Sequence, residues 1–198
     1  IFNYFFNPKD KFCFYLHGNV GVGKTMLLNF VYDQGATNYH FAFNIPSNQG
    51  LEALEWLKKR VDVLAYEGRE LVPFTNWNAE AMYFYDSDRN IVEFIARKNL
   101  KDDRSSLFGP HNILEISEIG LPTDNPGAVI DSIRKKFPIN IYSGSLHLFC
   151  AAGDERGLFI IIEDATKKWI PREDTVFRSP FDLTVEFEGK NYKLIYKN

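Results

Sequence analysis

The segment Ile91-Val92-Glu93-Phe94-Ile95-Ala96 constrains this chain most strongly. It follows Tyr83-Phe84-Tyr85 and a polar turn, Asp86-Ser87-Asp88-Arg89-Asn90, so the whole reads as two strands joined tightly. Alternate residues of a strand share a face. Glu93 therefore lies between Ile91 and Ile95, while Val92, Phe94 and Ala96 cover the opposite face. A strand apolar on both faces belongs inside a sheet covered on both sides. A carboxylate there is costly to bury unless a metal, a substrate or a basic group pairs with it. The alternative is that Glu93 sits at a strand end and reaches water.

The rest of the first half supplies a partner for that strand. In Tyr39-His40-Phe41-Ala42-Phe43-Asn44-Ile45 the apolar face is Tyr39, Phe41, Phe43 and Ile45, and His40, Ala42 and Asn44 share the other. Pro46 ends the strand. Ser47 and Asn48 offer caps for a helix over residues 51–64, whose stripe is Leu51, Leu54, Leu57, Val61 and Leu64. Short strands are expected near 70–74, 81–85 and 91–96. Residues 101–111 are polar and read as a linker between residues 1–100 and 112–198.

The second half repeats the plan. A strand is expected over 113–121, then a helix capped by Thr123 or Asp124 with Pro126 in its first turn and Val129, Ile130, Ile133 and Phe137 as its stripe. Strands near 139–142, 146–152 and 157–163 follow. A hairpin over 181–196 turns at Glu188-Gly189-Lys190. The halves echo each other in sequence: Asp88 to Glu93 can be laid on Glu155 to Ile160, which puts Ile160 in the place of Glu93.

Composition narrows the function classes. The chain has 198 residues, is 45% hydrophobic, and carries 18 Phe and 10 Tyr, which favours strands and a sizeable core. Its net charge of −3 gives no basic footprint for nucleic acid. No apolar run approaches a membrane span, and no charged-then-apolar signal opens the chain. Cys13 and Cys150, far apart among apolar neighbours, read as reduced core thiols, which suggests the cytoplasm. The chain opens on Ile1 rather than Met, so its natural N-terminus is expected upstream.

The phrase His40-Phe41-Ala42-Phe43, a following helix, and then Tyr83-Phe84-Tyr85-Asp86-x-Asp88-x-Asn90-Ile91-Val92-Glu93-Phe94 resembles the vicinal oxygen chelate superfamily. That superfamily contains glyoxalase I, fosfomycin- and bleomycin-resistance proteins and extradiol dioxygenases. The resemblance is closest over residues 36–100 and looser over 112–198. It implies an α+β fold of two tandem βαβββ modules, forming a cupped mixed or antiparallel sheet with helices on the outside. It also implies that His40 and Glu93 hold a divalent metal such as Mn, Fe, Ni or Zn, with Glu93 able to move a proton. The family's third ligand has no match in Ile1 to Phe6; in the second half the corresponding place falls near Ser117, flanked by Glu115 and Glu118. Trp77, Asn78 and Tyr83 are expected to meet a small-molecule ligand. Lyase, isomerase, transferase and dioxygenase chemistry all remain open, as does a metal-free binding or drug-resistance protein. A homodimer is compatible with the resemblance. Arg97 and His147 have no partner legible in the sequence.

A competing motif is Gly18-Asn19-Val20-Gly21-Val22-Gly23-Lys24-Thr25, which satisfies the P-loop pattern of a nucleotide hydrolase. Its backbone would cradle phosphates, Lys24 would reach the β- and γ-phosphates, and Thr25 would hold Mg²⁺. The scarcity of helices after residue 65 argues against a parallel P-loop sheet. The first module is shorter than the resemblance implies, so one reading of this match is a junction artefact.

Overall fold

The structure is a computed structural model and describes residues 26–30, 38–86 and 88–197. The P-loop match over 18–25, the Ile1 to Phe6 stretch and Cys13 lie outside the described residues. The protein is a mixed, sheet-rich α+β fold with two α-helices among the described residues.

Strand β1 is Met26–Phe30, β2 is His40–Ile45, and helix α1 is Gly50–Leu57. Short strands β3 (Val63–Leu64) and β4 (Val72–Phe74) precede β5 (Ala79–Tyr85) and β6 (Ile91–Arg97). After the stretch 98–115 come β7 (Ile116–Thr123), α2 (Pro126–Arg134), β8 (Ile141–Ser145), β9 (Phe149–Asp154) and β10 (Gly157–Glu163). The chain closes with β11 (Phe181–Phe187) and β12 (Lys190–Tyr196).

One sheet runs β3-β5-β6-β2-β7-β10-β9-β8, with β4 beside β5. Its centre is the antiparallel seam β2–β7, and on each flank the pairing is parallel, β2 with β6 and β7 with β10. The order therefore reads the same outward from the seam in both directions. A second sheet has the order β1-β11-β12.

The two faces of the large sheet carry different loads. One face joins Phe41, Phe43, Val92 and Phe94 to α1 through Ala53, Leu54 and Leu57, and to α2 through Ile130 and Ile133. Phe181, Leu183 and Val185 of the small sheet complete this core. Edge-on ring contacts tie it together, with Phe43–Phe94 centroids at 6.0 Å and Phe84–Phe94 at 5.2 Å. Each such ring contributes roughly 1.5 to 3 kcal/mol by leaving water. The opposite face gathers Ala42, Ile91, Ile95, Leu158, Ile160, Ile162 and Trp169. The alternation read in β2 and β6 is thus the alternation that divides the two cores.

Local details differ from expectation at the helix ends. Helix α1 stops at Leu57, Leu64 belongs to β3, and Leu51 is 64% exposed. Ser47 and Asn48 do not cap it. Ser47 Oγ donates to the Arg97 carbonyl at 2.7 Å and accepts from Asp102 N at 3.0 Å. Asn48 exchanges hydrogen bonds with the Arg104 backbone. Both residues therefore pin the stretch after β6, where side-chain bonds to the backbone compete with capping. Asn125, one position past the expected caps, caps α2 by accepting from Ala128 N at 3.0 Å. The stretch expected as a linker is also fastened by Phe108, which is buried against Trp56 and Phe94. The 86–90 turn is built by Asp86, whose Oδ1 accepts from the Asp88 and Asn90 amides at 3.0 and 2.8 Å.

Candidate metal centre

Three neighbouring strands aim one donor each at the same point. His40 from β2, Glu93 from β6 and Glu118 from β7 offer ligand atoms that all lie within 4.8 Å of one another, and all three residues are buried. His40 Nε2 and Glu93 Oε2 are 3.6 Å apart. Two donors each about 2.1 Å from an ion stand about 3.0 to 3.4 Å apart at octahedral or tetrahedral angles. The donor set could hold a divalent cation, with the His40–Glu93 spacing a few tenths of an ångström wider than that range. One imidazole nitrogen with two carboxylate oxygens suits Mn, Fe, Ni or Zn rather than a soft, thiol-seeking ion.

Register explains why these three meet. In β6, Glu93 is opposite Ala42 of β2, and Ala42 is also opposite Glu118 of β7. The seam then shifts, so that Phe43 faces Ile116 and Ser117 is the extra residue of a bulge. A bulge re-aims the side chains beside it. Glu118 and Gly120 consequently share the cavity face, while Ile116 and Ile119 both point into the helix-side core. Strict alternation carried along this strand lands on Ser117, one residue short. Ser117 is buried with its hydroxyl unpartnered, and Glu115 instead accepts from Asn44 Nδ2 at 2.8 Å and pairs with Arg156.

The echo between the halves identifies the corners of this group. Glu93 is opposite Ala42, and Ile160 is opposite Gly120. His40 and Glu118 each stand two residues before those partners. Glu118 thus takes the place of His40, and Ile160 the place of Glu93. The fourth corner is apolar.

Arg97 is the partner that the sequence did not reveal. It is completely buried, donates through Nη2 to Glu118 Oε1, and donates through Nε to Asn44 Oδ1 at 3.2 Å. Its guanidinium lies 5.4 Å from the Trp77 ring centroid. The signal was available: Arg97 shares the parity of Glu93 on one strand face.

The electrostatics follow from two carboxylates and one buried cation. Burial and the neighbouring Glu118 push the Glu93 carboxyl well above its usual range, against the pull of Arg97 and of the Tyr83 hydroxyl that hydrogen-bonds it. Burial also raises Glu118, which Arg97 counters directly. Burial pulls His40 down to about 4, opposed by the Ile91 backbone. The group thus holds a neutral imidazole near neutral pH, the form that binds metals.

This group floors a cavity of about 220 Å³. Phe74, Trp77, Phe149, Ile95, Ile160 and Ile162 make apolar walls, and Lys167, Lys168, Trp169 and Ile170 border it from the segment after β10. Trp169 packs on His40 with ring centroids 4.9 Å apart. Of the residues expected to meet a ligand, Trp77 and Tyr83 line the cavity. Asn78 does not: it has φ 48° and donates to Asn99 Oδ1 at 2.7 Å. His147 is exposed in the turn between β8 and β9. Cys150 is buried and unbonded. No helix among the described residues is long and apolar enough to cross a membrane.

The fold and site define an α+β protein with a buried His–Glu–Glu group at the base of a mainly apolar cavity. No protein-family model matches the chain, and no curated protein matches it.

Proposed function

We propose that this is a glyoxalase-like protein of the vicinal oxygen chelate type, made of two βαβββ modules, that binds a small molecule over a divalent ion held by His40, Glu93 and Glu118. The observation that carries this reading is the convergence of three buried donor side chains from β2, β6 and β7 beneath one cavity. Its architectural support is that each half runs strand, helix, then further strands (β3 to β6 in the first half, β8 to β10 in the second), with the last strand returning parallel to the first.

A bound ion would act as a Lewis acid toward the oxygens of the ligand. The rest belongs to the chain's own side chains. Glu93, raised by burial and steadied by Tyr83, is suited to hold and pass a proton at its carboxyl oxygen. Phe74, Trp77, Phe149 and Trp169 exclude water and give flat faces to an aromatic or aliphatic ligand. The half-buried Lys167 at the border favours a ligand with an anionic substituent.

One observation favours a second reading, a metal-free binding protein. Arg97 already supplies a positive charge to Glu118, the role an ion would take. Metal analysis of the purified protein, followed by titration of chelator-treated protein with Mn²⁺, Zn²⁺ and Co²⁺, separates the two. One ion per chain, lost in Glu93→Gln and Glu118→Gln variants that remain folded, supports the metal centre. Ligand binding with no ion in wild type supports the metal-free form.

A further inference from the structure

His40 and Trp169 also line a second and much smaller cavity. Its volume is about 10 Å³, and Asn38, Tyr39, His40, Gly120, Trp169 and Ser179 are among the residues around it. Three of these carry buried polar atoms without a hydrogen-bond partner: His40 Nδ1, Trp169 Nε1 and Ser179 Oγ. Few buried polar groups in folded proteins go unpaired, and each costs about 1 to 3 kcal/mol when it does. Three residues with such atoms line one void of about this size, and a buried water needs some 10 to 15 Å³ and two to four polar partners.

We propose that a single ordered water fills this cavity and bridges His40 Nδ1, Trp169 Nε1 and Ser179 Oγ, making Trp169 and Ser179 positioning residues for His40. The indole N–H can only donate, so it gives its hydrogen to the water. His40 gives its own hydrogen from Nδ1 to the water's second lone pair, and the water donates to Ser179 Oγ. The alternative tautomer would place the hydrogen on Nε2, whose neighbour Glu93 Oε2 stands at 3.6 Å, beyond a hydrogen bond. A water could equally donate to a bare Nδ1, so it is the lack of an acceptor at hydrogen-bond distance from Nε2 that puts the hydrogen on Nδ1 and leaves Nε2 bare toward Glu93 and Glu118. Metal-binding histidines are held in this way by a partner on the other ring nitrogen. Local geometry supports a fixed ring: a Cβ at Gly120 would stand 2.7 Å from the Trp169 ring and 3.3 Å from His40 Cβ.

The tautomer stands by itself, whereas its effect on metal affinity rests on the metal reading above. Nitrogen-15 NMR of chelator-treated, histidine-labelled full-length protein reads the tautomer directly. Wild type is expected to show His40 with hydrogen on Nδ1 and a bare Nε2. The Trp169→Phe/Ser179→Ala double variant is expected to lose that preference, and Ser179→Thr, which keeps the hydroxyl, to retain it. Cobalt(II) affinity should fall about 10- to 100-fold in the double variant. Hydrogen on Nε2 in wild type, or an unchanged tautomer in a folded double variant, overturns the proposal. If wild type binds no Co²⁺ and the tautomer still shifts as expected, the metal reading fails and the bridging water stands. If Co²⁺ binds and the tautomer does not move, the water is refuted and the metal reading stands.

Discussion

Replacing Arg97 with methionine tests the charge balance of the site more sharply than any change to the donors. Arg97 has no exposed surface and Glu118 only 3%. The variant keeps most of the buried stem but leaves Glu118 without its cation, and breaking one partner of such a buried pair costs about 3 to 5 kcal/mol. The cost has a ceiling, because Glu118 can take a proton. Burial already raises its carboxyl, and Arg97 is the group that pulls it back. Without Arg97 the folded-state pKa rises further above the unfolded one. A carboxyl raised in this sense contributes stability below its unfolded pKa and loses it as pH rises through the folded value. The R97M penalty should therefore be small in acid and largest at mildly alkaline pH. Urea unfolding of chelator-treated protein across that range measures it. Adding Glu118→Gln should return most of the loss, since the glutamine needs no counter-charge. A divalent ion should also stabilise R97M more than wild type, because it restores the missing charge. A penalty below about 1 kcal/mol at alkaline pH, or no recovery in R97M/E118Q, would refute the argument that this ion pair holds the floor of the cavity.

Three further outcomes follow from the same geometry. Glu93→Gln removes a carboxyl held well above its usual range by burial and by Glu118, so the chelator-treated variant should be at least as stable as wild type at alkaline pH. It should lose the rise in Tm that Mn²⁺ or Zn²⁺ gives wild type. His40 is lowered from 6.5 to about 4, a difference worth roughly 3 kcal/mol. A base depressed in the folded state contributes stability that is lost as pH falls from its unfolded value through its folded one. The stability gap between chelator-treated wild type and His40→Phe should therefore narrow by about that amount between neutral pH and pH 4, as read by denaturant titration. Gly120→Ala places its Cβ 2.7 Å from the Trp169 ring, so Trp169 must move off His40. A loss of about 1 to 3 kcal/mol and a changed tryptophan emission are expected. An unchanged spectrum would show that the two rings are not held together.

The sequence was most legible where period and burial agree. In β2 and β6, alternation divides the residues between two cores, whereas the pairing of His40 with Glu93 was expected only from the family resemblance. The hairpin at Glu188-Gly189 was readable because φ values of 50° and 72° belong to a tight turn that glycine favours. Legibility failed where a single residue breaks the period. Ser117 as a bulge moves every later face assignment by one, so the place that the resemblance put near Ser117 falls on its neighbour Glu118. It failed again for α1, where Ser47 is committed to Arg97 and Asp102 and cannot act as a cap. Arg97 illustrates a third limit: a long side chain at a strand end finds its partner across two strands, and only the sheet order says which.

The asymmetry between the two halves argues for what the site leaves open. By register, one half contributes His40 and Glu93, and the other contributes Glu118 and Ile160. On the proposed metal reading, three donors and an apolar fourth corner would leave an ion with room for a ligand oxygen. Ile160→Glu should therefore reverse the preference. Without an ion, a third buried carboxylate served by one arginine costs several kcal/mol. With an ion it becomes a fourth ligand, so the rise in Tm on adding Mn²⁺ should exceed that of wild type. The same side chain would fill the wall against which the ligand packs, so ligand binding should weaken as metal binding tightens. If the ion stabilises Ile160→Glu no more than wild type, Ile160 does not stand at a corner of the metal group, and the register argument that puts it there is wrong.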